Sequence, residues 1–168
     1  MPSHRCEECI KEVGIAFLFA PMMHLAMKYA IGPRREIGVR TIFNLLGPLT
    51  NPAAPPYQLI GAFSLSAARL MADTLAGMPI ERAFVVHGEP GWDEATPVGE
   101  FALFDVRPGK VTEARRSPEQ YGMRRCAPGD LAGGDASHNA AQLRRVLTGE
   151  DRGAHRDDPG HRRHLLRP

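Results

Sequence analysis

Tyr57-Gln58-Leu59-Ile60-Gly61-Ala62-Phe63, followed by Ser64 to Gly77 and then Ala83-Phe84-Val85-Val86, is the stretch that decides the fold. Tyr57, Leu59, Ile60 and Phe63 are apolar and Pro55-Pro56 holds the entry extended, which predicts a strand over 57–63. Ser64 or Ser66 can cap a helix with Ala67, Leu70, Met71, Thr74 and Leu75 on its inward face and Gly77 as its stop. The run Ala83 to Val86 predicts a second, buried strand. Strand, helix and strand at this spacing form a βαβ unit with a parallel pair and a right-handed crossover. In open sheets of that kind ligands sit beyond the carboxyl ends of the strands. The loop His87-Gly88-Glu89-Pro90-Gly91-Trp92-Asp93-Glu94 lies at such an end.

Working towards the C-terminus, Phe101 to Val106 and Val111 to Arg115 flank Arg107-Pro108-Gly109-Lys110 and predict a hairpin. A Pro- and Gly-rich passage leads to a last helix with Asp135 or Ser137 as cap, apolar Ala140, Leu143, Val146 and Leu147, and Gly149 as the stop. After Asp151 the composition changes to Arg, His, Asp and Pro, with too little apolar surface to drive folding. The expected organisation is one α/β domain over 1–150 and a disordered basic tail over 151–168. Charge follows that division. Residues 1–106 hold 8 Lys/Arg against 11 Asp/Glu and the remainder 13 against 8, within a formal net charge of +2. The basic end has no aromatic interleaving and no nucleic-acid motif, so no nucleic-acid partner is expected.

Working towards the N-terminus, Arg34-Arg35-Glu36-Ile37-Gly38-Val39-Arg40-Thr41-Ile42-Phe43-Asn44-Leu45-Leu46-Gly47-Pro48-Leu49-Thr50-Asn51 packs arginines, asparagines and a Gly-Pro step around an apolar run. Gly38 and Gly47-Pro48 are expected to break it into short helical pieces. Before it, Pro21 opens a helix to about Ile31, with Met22, Leu25, Ala26 and Tyr29 at helical spacing and His24 and Lys28 on a neighbouring line. The run Ile15 to Ala20 predicts a fully buried strand. Residues 4–13 predict a short helix with Cys6, Cys9, Ile10 and Val13 on one stripe and Gly14 as its stop. Three cysteines, no signal peptide and no apolar run long enough to span a bilayer place the expectation in the cytoplasm, with no membrane partner. Cys6-x-x-Cys9 lacks the second pair a zinc site needs.

Asp93 and Glu94 could hold Mg²⁺, which takes one or two carboxylates and completes its shell with water and phosphate oxygens. A helix cap or a plain acidic loop fits the same pair. Arg34 and Arg35 after Gly32-Pro33 suit a bidentate carboxylate, and equally a solvated arginine pair. His24 is a ligand contact or a core-edge histidine. No Ser/His/Asp order, zinc spacing or dinucleotide fingerprint is present, and no residue is assigned as catalytic.

These residues together resemble the anthranilate phosphoribosyltransferases of glycosyltransferase family 3, over about Cys9 to Glu150. The resemblance is carried by Phe17-Leu18-Phe19-Ala20-Pro21 with His24, by Arg34 through Arg40-Thr41-Ile42-Phe43-Asn44-Leu45-Leu46-Gly47-Pro48-Leu49-Thr50-Asn51-Pro52, by Tyr57-Gln58-Leu59-Ile60-Gly61, and by His87-Gly88 with Gly91, Asp93-Glu94, Pro97 and Gly99. It implies an α/β fold with a partial mixed sheet and flanking helices, an incomplete version of the nucleoside phosphorylase/phosphoribosyltransferase C-terminal type. It implies Mg²⁺-dependent attack of the anthranilate amine on phosphoribosyl pyrophosphate (PRPP), in tryptophan synthesis. By motif, Arg34 would pair with the anthranilate carboxylate, His24 and Gly47-Pro48 would line the aromatic pocket, and Asp93 with Glu94 would hold Mg²⁺.

Members of that family look about twice this length. Their helical domain, Gly-Thr-Gly-Gly-Asp phosphate loop and Asn-x-Ser-Thr segment have no counterpart in these 168 residues, and neither do the helices of the family homodimer. The tail after Glu150 reads as a frameshift of the same gene. The resemblance therefore implies a chain inactive by itself. The competing expectation is a non-catalytic gene fragment or a piece that complements a separate N-terminal chain. A pyrimidine nucleoside phosphorylase relative is disfavoured by the Arg34 to Asn51 motif.

Overall fold

The computed structural model describes residues 3–18, 29, 32, 36, 38, 42–51 and 53–150. The chain divides into two compact units, Met1–Leu46 and Gly47–Pro168.

In the first unit, α1 (Ser3–Val13) carries a Lys11–Glu7 ion pair one turn apart at 2.6 Å. It ends at Gly14, whose φ of +82° suits a residue without a Cβ and whose N–H donates to the Ile10 carbonyl. Cys6 is buried and Cys9 half-buried, but Ile10 and Val13 of the same expected stripe are exposed. The buried strand expected after Gly14 is not found over 15–18: these residues pair with no strand, and Ile15, Phe17 and Leu18 are exposed. An apolar run becomes a buried strand only where a ladder partner exists. Here the Cys9 thiol donates to the Ile15 carbonyl at 3.1 Å and the segment runs beside α1 instead. Phe19, Ala20 and, Tyr29 apart, the helix expected over Pro21–Ile31 lie outside the described residues.

The Ile42 carbonyl accepts from the N–H groups of Leu45 and Leu46 at the start of α2 (Phe43–Leu49). The left-handed Gly38, at φ +65°, agrees with a break there. Gly47-Pro48 does not break the chain as expected: α2 runs through both residues. Pro48 sits one residue before the end, where a missing N–H costs one bond and leaves no helix beyond it to kink. Asn51 then turns the chain, its Oδ1 accepting from the Ala53 N–H and its carbonyl from the Ala54 N–H.

The second unit is built on a four-stranded sheet of order β1-β2-β3-β4, from β1 (Tyr57–Gly61), β2 (Arg82–Gly88), β3 (Phe101–Arg107) and β4 (Lys110–Arg116). β1 and β2 are parallel, with Tyr57 opposite Arg82; β2–β3 and β3–β4 are antiparallel. The first pair is joined by α3 (Leu65–Ala76), whose N-cap Ser64 accepts from the Ala67 N–H and whose end is Gly77. The hairpin closes on Pro108-Gly109, with Gly109 at φ +70°. The mixed sheet and βαβ unit agree with the sequence reading; the strand stops at Gly61 rather than Phe63.

Strand alternation gives the sheet two faces. Gln58, Ile60, Ala83, Val85, His87, Ala102, Phe104 and Val106 share one, and α3 covers it, as its Arg69 ion pair with Glu113 on the same face at 3.4 Å shows. Ala67, Ala68, Met71, Ala72 and Leu75 are the buried line of α3. Leu70 and Thr74, expected inward, are exposed. The alanines win because a strand surface of Val85, Phe104 and Val106 brings the helix backbone close.

Two short 3₁₀ turns, Pro118–Tyr121 and Pro128–Leu131, lead to α4 (Ala136–Thr148), capped by Asp135 and closed by Gly149 at φ +76°. Its caps match the sequence reading, but it buries no residue: Leu143, Val146 and Leu147 are exposed. Among the described residues no helix is long and apolar enough to cross a membrane. The tail over 151–168 lies outside them.

Candidate functional site

The loop after β2 is the most constructed feature of the second unit. The Gly88 N–H donates to the Trp92 carbonyl at 2.8 Å, and the Gly91 and Trp92 N–H groups return to the Gly88 carbonyl at 2.9 Å. The Glu89–Pro90 peptide is cis. The Glu89 N–H donates to the Glu100 carbonyl at 2.9 Å, tying the loop to the approach of β3. These bonds turn the chain back on itself, so that Asp93 and Glu94 come to lie over the ends of the strands.

Gly61 closes β1 and Gly88 closes β2, and both belong to the sheet face opposite α3. A Cβ built on Gly61 would fall 1.8 Å from the Asp93 carbonyl oxygen, and one on Gly88 would fall 2.1 Å from that of Glu94. The acidic pair is therefore laid on the carboxyl ends of the parallel strands, where the sheet rule puts a ligand. His87 ties these ends together, its Nδ1–H donating to the Ala62 carbonyl at 2.8 Å. Thr96 is buried behind the loop, and the Cys126 N–H donates to the Pro97 carbonyl at 3.1 Å. Burial pushes the Cys126 thiol above its ordinary range. On the same side Phe101 stacks on Tyr121 with centroids 6.2 Å apart.

The Asp93 and Glu94 residues are exposed. No group of three or more His, Cys, Asp or Glu that could hold a metal occurs among the described residues. Two carboxylates with open surroundings still fit Mg²⁺, which keeps several waters and takes phosphate oxygens from a substrate, and they do not fit a closed all-protein cage.

Of the other residues singled out, Gly47 and Pro48 occupy the last turn of α2. Gly47 is exposed with open space where a Cβ would be, and Pro48 is half-buried. His24 and Arg34 lie outside the described residues. Gly88 belongs to the Gly- and Pro-rich loop whose composition already implies a shaped backbone, whereas Gly61 and His87 enter the sequence reading only as part of the resemblance. A glycine at a strand end is the available signal for close backbone approach, but the partner it admits is not legible from the strand itself.

The lower half of the same face carries Tyr57, Leu59, Arg82 and Phe84 around an open trough of about 290 Å³. Asp105 accepts from Arg82 Nε and Nη2 at 2.9 and 2.8 Å, and the Arg82 guanidinium sits 4.6 Å from the Phe84 ring centroid. These hydrogen bonds hold the Asp105 carboxyl below its usual range. Tyr57 donates its hydroxyl to Glu81, which raises the phenol above its ordinary value.

The glycosyl transferase family, a/b domain, matches residues 1–158. The chain is 52% identical over 144 residues to the anthranilate phosphoribosyltransferase of Syntrophotalea carbinolica, covering 86% of this chain and 41% of the relative. It is 51% identical over 151 residues to that of Geotalea uraniireducens, covering 90% and 43%. Among solved structures, the anthranilate phosphoribosyltransferase from Thermus thermophilus superposes with a TM-score of 0.78 at 44% identity, over 89% of this chain and 44% of that one. The Saccharomyces cerevisiae enzyme in complex with PRPP and Mg gives 0.80 at 26% identity, over 90% and 43%. The chain thus spans under half the length of the relatives it matches. A mixed sheet with its acidic loop on the parallel strand ends, matched over nearly all of its residues, makes this chain a member of the glycosyl transferase family through its α/β domain.

Proposed function

We propose that these 168 residues supply the metal and aromatic side of an anthranilate phosphoribosyltransferase site, in a cytoplasmic protein of tryptophan synthesis. The observation that carries the reading is the Asp93-Glu94 loop seated on the carboxyl ends of β1 and β2, in a chain about half identical to anthranilate phosphoribosyltransferases. The three thiols are free, which suits a reducing compartment.

In the reaction, the anthranilate nitrogen forms a bond to the anomeric carbon of PRPP and loses a proton. The bond from that carbon to pyrophosphate breaks, and its electron pair leaves on pyrophosphate. Asp93 and Glu94 would hold Mg²⁺, and when bound the ion would offset the charge gathering on the leaving group. Arg34 would take the anthranilate carboxylate as a bidentate fork, with His24 and the Gly47-Pro48 turn lining the ring. A weak aromatic amine gains more from such positioning than from a strong base.

By themselves these residues do not turn over in this reading. They contain no Gly-Thr-Gly-Gly-Asp loop, and donors that act as a unit are not replaced by half of them. Incubating the chain with anthranilate, PRPP and Mg²⁺ and following anthranilate fluorescence should show no loss above a protein-free control; turnover well above it would end this part of the proposal. For binding, Arg34→Ala should abolish whatever anthranilate affinity the chain has. An unchanged affinity would remove Arg34 from the site.

A further inference from the structure

The two glycines that close β1 and β2 do more than end strands. Gly61 has an ordinary backbone conformation and Gly88 likewise, neither with positive φ, so no turn requires a glycine at either place. What requires it is space. At Gly61 a methyl would stand 1.8 Å from the Asp93 carbonyl oxygen and 2.9 Å from its carbonyl carbon; at Gly88, 2.1 Å from the Glu94 carbonyl oxygen. The obstructing atoms are backbone, which cannot rotate away as a flexible side chain would. The obstructed residues are the two acidic ones, one for each strand of the parallel pair. By contrast Gly109, at φ +70° in the β3–β4 turn, has nothing within 4 Å of a built Cβ.

We infer that Gly61 and Gly88 are positioning residues for the Asp93-Glu94 pair, each admitting one carboxylate-bearing residue's backbone onto the sheet so that the two side chains are presented together to a divalent cation on a phosphate-bearing substrate. This rests on the reading of Asp93 and Glu94 as metal ligands. Any side chain at 61 lifts Asp93 off β1, and any at 88 lifts Glu94 off β2. Support of this kind, behind the residues that touch the metal, governs affinity by about tenfold or more.

The chain carries its own reporter. Trp92, the one tryptophan in the sequence, is half-buried in the same loop, beside Asp93. With Mn²⁺ alone as the probe, quenching of Trp92 emission reads cation affinity, and acrylamide quenching reads whether the loop is seated. Gly61→Ala and Gly88→Ala should each weaken Mn²⁺ affinity by about tenfold or more and expose Trp92 to acrylamide. Gly109→Ala, strained by its positive φ, should lower the melting temperature and move neither signal. Folded Gly61→Ala and Gly88→Ala chains with unchanged Trp92 quenching and Mn²⁺ affinity would overturn the inference while leaving the metal reading intact. Asp93→Asn and Glu94→Gln chains that keep full Mn²⁺ affinity would instead overturn the metal reading, and with it the purpose assigned to the glycines. In case the variants do not fold, the unsubstituted chain gives a second measurement: an NMR cross-peak between the Gly61 α-protons and the Asp93 β-protons, whose carbon lies 3.2 Å from a Cβ built on Gly61. Its absence would overturn the proposed seat.

Discussion

The two faces of one sheet are built from the same strands and end in opposite conditions. On the face under α3, Ala83, Val85, Phe104 and Val106 are at most 1% exposed, packed on Ala68, Met71, Ala72 and Leu75. On the other, Tyr57 is 64% and Leu59 74% exposed, and Phe84 is half-buried beneath Arg82. Among the described residues the carboxyl-end half of that face is occupied, by the acidic loop and by Tyr121 stacked on Phe101. The chain therefore completes one core from its own residues and leaves a second apolar surface that nothing among the described residues covers. The first face holds the sheet together; the second holds the candidate chemistry at one end and a bare trough at the other.

Substitutions on the covered face should have the largest effect. Phe104→Ala removes a ring from the middle of the packed layer, where neighbours cannot collapse into the space, and should cost about 4 kcal/mol in denaturant unfolding. Leu75→Ala, on the facing helix, should cost about 3 kcal/mol. Because the two sites face one packed layer, the double variant should lose less than the sum of the two. Full additivity would mean that α3 and β3 do not share one core.

These elements were largely legible in the sequence because their signals are local. Ser64, Gly77, Asp135 and Gly149 mark helix ends through capping chemistry confined to a few residues, and Pro108-Gly109 fixes the hairpin in the same way. The position of Asp93 and Glu94 followed from the βαβ rule alone. What failed needed partners distant in sequence. Ile15 to Leu18 had the composition of a buried strand and no ladder to join. Leu70 and Thr74 were favoured over Ala68 and Ala72 by size and spacing, whereas close helix-to-sheet packing selects the small residues. What the glycine seats admit is not legible, because the carbonyls that fill them belong to another segment.

A smaller effect is expected at the Arg82–Asp105 pair, which lies on the open face across β2 and β3. Hydrogen bonds from Arg82 hold the Asp105 carboxyl below its usual range in the folded chain. A carboxyl lowered on folding favours the folded state above its unfolded pKa of about 3.9 and loses that contribution as pH falls through the lower folded value. Asp105→Asn should thus lower the melting temperature at neutral pH and flatten its decline below about pH 4. Since both side chains are partly exposed, salt should weaken the effect. An unchanged acid limb in thermal melts across pH would show that the pair contributes nothing to the folded state.

The smallest change in stability should come from the residue that looks most like core in the sequence. Leu59 sits in the middle of β1, with Tyr57 two residues before it and Ile60 next to it, yet it is exposed while Ile60 is 5% exposed. Leu59→Gln therefore gives up almost no buried area, and its cost in unfolding should fall within about 0.5 kcal/mol. Its effect should appear instead in association. Among the described residues β1 is the edge strand of its sheet, and an apolar face continuous with an open edge is a surface that recruits other chains. The variant should bind less of a hydrophobic dye and remain monomeric to higher concentration by light scattering. A loss of about 2 kcal/mol, of the size seen for a leucine inside a core, would mean that this face is covered in solution, and the contrast between the two faces would fail with it.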